Sequence, residues 1–134
     1  MGSLSDYIEK AILDHVFNTT IYTPPVNIYV GLFTTSPDDT GGGVEVSGGN
    51  YARTVVNTWS AAITNVDGKA EISNGVSITF PTATADWGAI AAIGIFDDYL
   101  AGNLIAHSNV TIPKTIYDGD TASFAVGSIV VTLD

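Results

Sequence analysis

Positions 88–97 read GAIAAIGIFD, a run without a charged side chain until its closing aspartate. It has the length of one β-strand and is far short of the roughly 18 apolar residues that a membrane-spanning helix needs. An uninterrupted apolar strand suits a position covered on both faces, whereas a half-exposed strand alternates. A chain built around such a strand must place material above and below it, and a polar bend at 81–86 and a turn at 98–103 bound it on either side.

The rest of the chain supplies more strands. Residues 27–34 (NIYVGLFT) are aromatic and β-branched, and residues 51–59 alternate, with Tyr51, Arg53, Val55, Asn57 and Trp59 on one face. A hairpin-type turn is expected at 65–69 and a second turn at Asp118-Gly119-Asp120. Between and beyond them, further strands are expected at 70–74 and 76–80, joined or bulged at Gly75, at 104–110 and 112–117, divided near Pro113, and in two runs around Gly127. About seven to nine strands spaced about ten residues apart predict a mainly β fold, an antiparallel sandwich or jelly-roll-like arrangement. Its 134 residues predict one domain spanning 1–134.

One helix is expected, over about residues 4–17. Leu4, Ile8, Ile12 and Val16 recur every fourth position, with Tyr7 and Ala11 beside them. Ser3 followed by Asp6 reads as a capping pattern, and Pro24-Pro25 bars the helix from resuming. The stripe is expected to pack on the protein's own sheet, leaving the outer edge near Tyr7 and His15 for a partner. The glycine loop at 36–50, with Gly41, Gly42 and Gly43, is a second candidate contact region.

Charge narrows the function. Fourteen acidic and four basic residues give a net charge of −10, which repels phosphate backbones and anionic lipid, so neither a nucleic acid nor a membrane is an expected partner. The absence of cysteine excludes thiolate metal sites and disulfides. No basic segment followed by an apolar run marks a secretory signal, and production in a cytoplasm is expected.

Catalytic chemistry is weakly supported. His15 and His107 are the only histidines, and no Gly-x-Ser-x-Gly pattern marks a nucleophile. Asp38-Asp39, Asp97-Asp98 and Asp118/Asp120 read as turn formers, with calcium at Asp97 and Asp98 as the alternative. Neither Gly41-Gly42-Gly43 nor Gly48-Gly49 is followed by Lys-Ser/Thr, so no phosphate loop is present. Arg53, the only arginine, is expected to pair with a carboxylate and orient a loop. Trp59 and Trp87 are expected at the core or its margin, with stacking on carbohydrate as the other reading. The expectation is no enzyme, no cofactor and no metal.

The ordered segments carry a resemblance. LSDYIEKAILDHVF, TTIYTPP, NIYVGLFTTSP, EVSGGNYAR, ITFPTATADWG, IGIFDD, AGNLIAHS, PKTIYDGDTASF and the closing VTLD follow one another along nearly the whole chain. This resembles the small structural proteins of tailed bacteriophages known as tail-fibre proteins; EVSGGNYAR and ITFPTATADWG are its most specific parts. The resemblance implies a virion component that works by assembling, with no catalytic residues to carry over. A compact, acidic, Thr-rich β module suggests a capsid decoration (cement) subunit on the virion surface. The alternative is a tail-fibre or tail-adaptor piece, or a receptor-binding, carbohydrate-binding module. Capsid or tail subunits are the implied partners, together with further copies of the chain, in a trimer if it sits on a three-fold axis.

Overall fold

The computed structural model describes residues 2–133. The chain opens with β1 (Ser3–Leu4) and α1 (Asp6–Phe17), then runs extended to β2 (Tyr29–Thr35). Short strands follow: β3 (Val44–Glu45), β4 (Thr54–Val55), β5 (Ile63–Thr64), β6 (Ala70–Ser73) and β7 (Ile78–Thr79). The two longest are β8 (Gly88–Phe96) and β9 (Leu104–Ile116), and β10 (Ser123–Phe124) and β11 (Val130–Leu133) complete the described chain. The fold is mainly β and sandwich-like, with antiparallel sheets and one helix near the N-terminus.

The apolar run becomes β8, the middle of the largest sheet. β2 and β9 flank it in antiparallel register, β1 adds to the far edge of β9, and β3 and β4 share the free edge of β2. A three-stranded sheet (β11-β6-β5) and a pair (β10-β7) supply the opposing layer. The expected double coverage of β8 has a simple basis in alternation. Ile93 and Ile95 point into the main core with Val30, Leu32, Ile78, Phe80 and Ile129. Ala92 and Phe96 point the other way, into a smaller cluster with Phe33 and Leu104.

Several boundaries differ from the sequence reading. The helix begins at Asp6, because Ser3 and Leu4 pair as a strand with His107 and Ala106. Ser5 is the N-cap residue, but its hydroxyl donates to the Leu104 carbonyl and its N–H to the Ile105 carbonyl at 2.8 Å. The expected Ser3–Asp6 cap is therefore not formed; the Asp6 N–H is satisfied by the Asp39 carbonyl at 3.0 Å. β9 passes through Pro113 without breaking, because its register with β8 jumps from Ala92↔Asn109 to Ile90↔Lys114 and no ladder bond is asked of the proline. β6 and β7, expected as two strands or as one bulged at Gly75, are separate strands that join different sheets. Within the alternating stretch 51–59, strand pairing is confined to Thr54–Val55, with one further isolated bridge from Trp59 to Asn74.

Candidate functional site

The C-terminal half of α1 presents apolar side chains to solvent. Ile8 is buried and Ile12 half-buried, so the inner side of the helix packs on its own domain, making its contacts with β9. Beyond them around the helix, Leu13, Val16 and Phe17 are 58%, 62% and 77% exposed. These three lie at i, i+3 and i+4 and form one strip. The chain then doubles back: the Thr20 N–H donates to the Asp14 carbonyl at 3.1 Å, and the Tyr22 N–H donates to His15 Nδ1 at 3.1 Å. That return holds Ile21, 82% exposed, beside the last turn of the helix, and Val26 follows at 93%.

Of the candidate contact residues, Val16 and the exposed His15 lie at this end of the helix. Leu4 is half-buried on β1 and, with Ile12, Leu13, Glu9 and Leu133, lines a groove of about 350 Å³ between the helix and β11. Ile8 is enclosed and unavailable to any partner. Sequence periodicity marked the 4-8-12-16 stripe and missed Leu13, Phe17, Ile21 and Val26. A usable signal was there, because residues 15–37 contain no Asp, Glu, Lys or Arg.

Tyr7, Gly41 and Gly42 come together elsewhere, in a cleft of about 500 Å³ over the smaller core cluster, where Phe33 and Phe96 also contribute. Gly41, Gly42 and Gly43 all adopt positive φ. Their loop is tied down: Asp38 and Gly41 exchange backbone hydrogen bonds of 2.9 Å, and Asp39 lies 2.8 Å from His107 Nε2. It folds against the start of the helix and does not reach away from the domain.

Arg53 takes the structural role expected of it. Its guanidinium pairs with Glu45, donates to the Asp98 and Ala101 carbonyls at 2.9 and 2.7 Å, and lies 3.5 Å from the Phe96 ring centroid. Glu45 also accepts the Tyr51 hydroxyl at 2.7 Å, and that hydroxyl accepts the Leu32 N–H at 2.9 Å. Burial holds the Tyr51 phenol far above its ordinary pKa. Burial likewise raises Tyr22, with Tyr7 and Asp97 adding to the effect.

The tryptophans divide. Trp87 is buried, donates its indole N–H to the Gly49 carbonyl at 2.8 Å and meets Tyr51 edge to face. A buried ring has no free face, so the stacking role considered for Trp87 is corrected. Trp59 is half-buried, with its N–H donated to the Val56 carbonyl at 2.9 Å. Asp97 accepts from the Asn103 backbone and side chain, and Asp98 from the Leu100 N–H, as turn formers do. No group of three or more His, Asp or Glu among the described residues could hold a metal ion.

The comparison with known families gives this small antiparallel β sandwich its class: the chain is a structural protein of a bacteriophage virion. It belongs to the family described as podophage GP4 fiber I protein gp80, whose family model matches residues 3–132. No curated protein matches it.

Proposed function

We propose that this protein is a fibre component of a podophage tail that works by assembly and not by turnover. The family description favours the fibre reading over capsid decoration. The observation that carries assembly is the exposed apolar strip of Leu13, Val16, Phe17 and Ile21, a surface that a free-standing domain would keep out of water. The non-enzymatic reading draws support from the histidines: His15 accepts a backbone N–H, while His107 meets an exposed aspartate on a different element.

Labelling the chain in intact particles tests the proposal. A few copies confined to the tail are expected. Many copies spread over the head would instead establish a decoration role, and hydrolysis of host polysaccharide by the purified chain would overturn the non-enzymatic reading.

A further inference from the structure

The uncovered helix face has a shape and a charge that specify its occupant. Resting on the assembly reading above, we infer that it is covered by the same face of a second copy of this chain, with the two helices antiparallel and crossing at Leu13.

Area is the first argument. Leu13, Val16, Phe17 and Ile21 offer roughly 100–150 Å² each, on the order of 500 Å² together. A standard interface buries about 800 Å² per partner, somewhat more than half of it apolar, so the patch meets that requirement.

Charge is the second. The chain carries 14 acidic residues, and most ways of bringing two copies together oppose carboxylates. Residues 15–37 contain no Asp, Glu, Lys or Arg, so Val16, Phe17 and Ile21 bring no carboxylate to the contact, and Asp14, beside the crossing point, is already paired with Lys10 at 2.6 Å.

Self-complementarity is the third. Leu13 lies four residues from both Glu9 and Phe17. In an antiparallel crossing centred on Leu13, Phe17 of each copy reaches the other's Glu9 turn. That turn borders the 350 Å³ groove lined by Leu4, Ile12, Leu13 and Leu133. A single two-fold axis then fills both grooves, as an isologous interface requires, and the helix dipoles run in opposite senses.

The chain has no cysteine, so one introduced thiol reports one contact. The full chain would be examined by light scattering at up to about 100 µM, enough to populate a micromolar dimer. A mass of two chains is expected for the wild type and of one chain for Phe17→Asp, whose site is too exposed for the change to unfold the domain. Oxidation should join Leu13→Cys into a covalent dimer and leave Val66→Cys, at a fully exposed turn, monomeric.

A monomeric wild type would overturn the inference. Should Phe17→Asp then fail to enter particles, the assembly reading survives with another virion protein as occupant; if it enters normally, both readings fall. Multimers that Phe17→Asp leaves intact, or a three-chain mass that it reduces to one, would also overturn the two-fold pairing.

Discussion

Arg53 and Glu45 hold each other through two parallel hydrogen bonds of 2.8 Å, from Nε to Oε1 and from Nη2 to Oε2. The arginine side chain is 8% exposed. This one pair ties β3 to the segment entering β4, and through the Asp98 and Ala101 carbonyls to the turn between β8 and β9. Breaking a buried pair from one side leaves a charge without a partner, at about 3–5 kcal/mol. Arg53→Ala should therefore lose about 3 kcal/mol in denaturant unfolding. Arg53→Lys should recover little, because an ammonium cannot make the bidentate contact and reach both carbonyls. A loss below about 1 kcal/mol would show that water replaces these bonds.

Tyr51 predicts a fall in stability at high pH. Its folded pKa is raised, so its contribution is fully present below the unfolded value near 10 and declines as pH rises beyond it. The unfolded chain then releases a proton that the folded chain keeps, at a slope of about 1.4 kcal/mol per pH unit. Unfolding between about pH 9 and 11 should show a shallower decline for Tyr51→Phe than for wild type, on a lower baseline, since the Leu32 N–H loses its acceptor. Parallel curves would remove Tyr51 as the source.

Asn74 is the buried polar joint of the second layer. Its amide donates to the Val76 and Ala125 carbonyls at 2.8 and 2.9 Å, and its oxygen accepts the Ile129 N–H at 2.9 Å. Asn74→Ala takes these partners from the Val76 carbonyl and the Ile129 N–H, while the Ala125 carbonyl keeps Ser128, and should lower stability by about 2–3 kcal/mol. Asn74→Asp should do no better at neutral pH, since a carboxylate would face two carbonyls. Hydrogen exchange at Ile129 is the local readout, and unchanged protection there would contradict the assignment.

Ile8 and Val16 belong to one predicted stripe but should respond differently. Ile8→Ala should cost about 2–5 kcal/mol, as buried truncations do. Val16→Ala should stay within about 0.5 kcal/mol in dilute solution. Equal losses at both sites would mean that the helix packs along its whole length in solution.

Gly94 fills a place that only a missing side chain can fill. A Cβ there would stand 2.8 Å from Phe33 and 2.9 Å from Phe96 ring atoms. Gly94→Ala should cost about 1–3 kcal/mol by overpacking, and the circular dichroism of the aromatic region should change with it. A neutral substitution would indicate that the rings move aside freely.

What could be read from the sequence depended on how local each cause was. β8 was legible because continuous apolarity needs no partner to be recognised, and the turns at 65–69 and 118–120 were legible because Asp-Gly chemistry is local. The stretch 51–59 was misread as one strand. Its alternating side chains serve distant partners: Tyr51 and Arg53 reach Glu45, and Asn57 accepts from the Ile28 N–H at 3.0 Å. The helix stripe marked which residues are apolar but not which are covered. Coverage depends on β1, whose two residues cannot be distinguished from a helix start by local pattern. Burial of Trp87 likewise depends on Gly49, 38 positions away.

The N-terminal residues and β11 meet side by side in the same direction. Gly2 donates to the Val130 carbonyl at 2.9 Å and accepts the Thr132 N–H at 3.2 Å, in a parallel bridge with Val131. A pull that draws Gly2 and Leu133 apart would therefore run along these strands, and the bonds would bear the load together, in shear. They could not be peeled apart one after another. β1 adds its antiparallel pairing to β9, so the same tug would also have to slide Ser3 and Leu4 past His107 and Ala106. A pull between Gly2 and Leu133 is thus met by shear of paired strands, the geometry in which a few hydrogen bonds resist force most effectively.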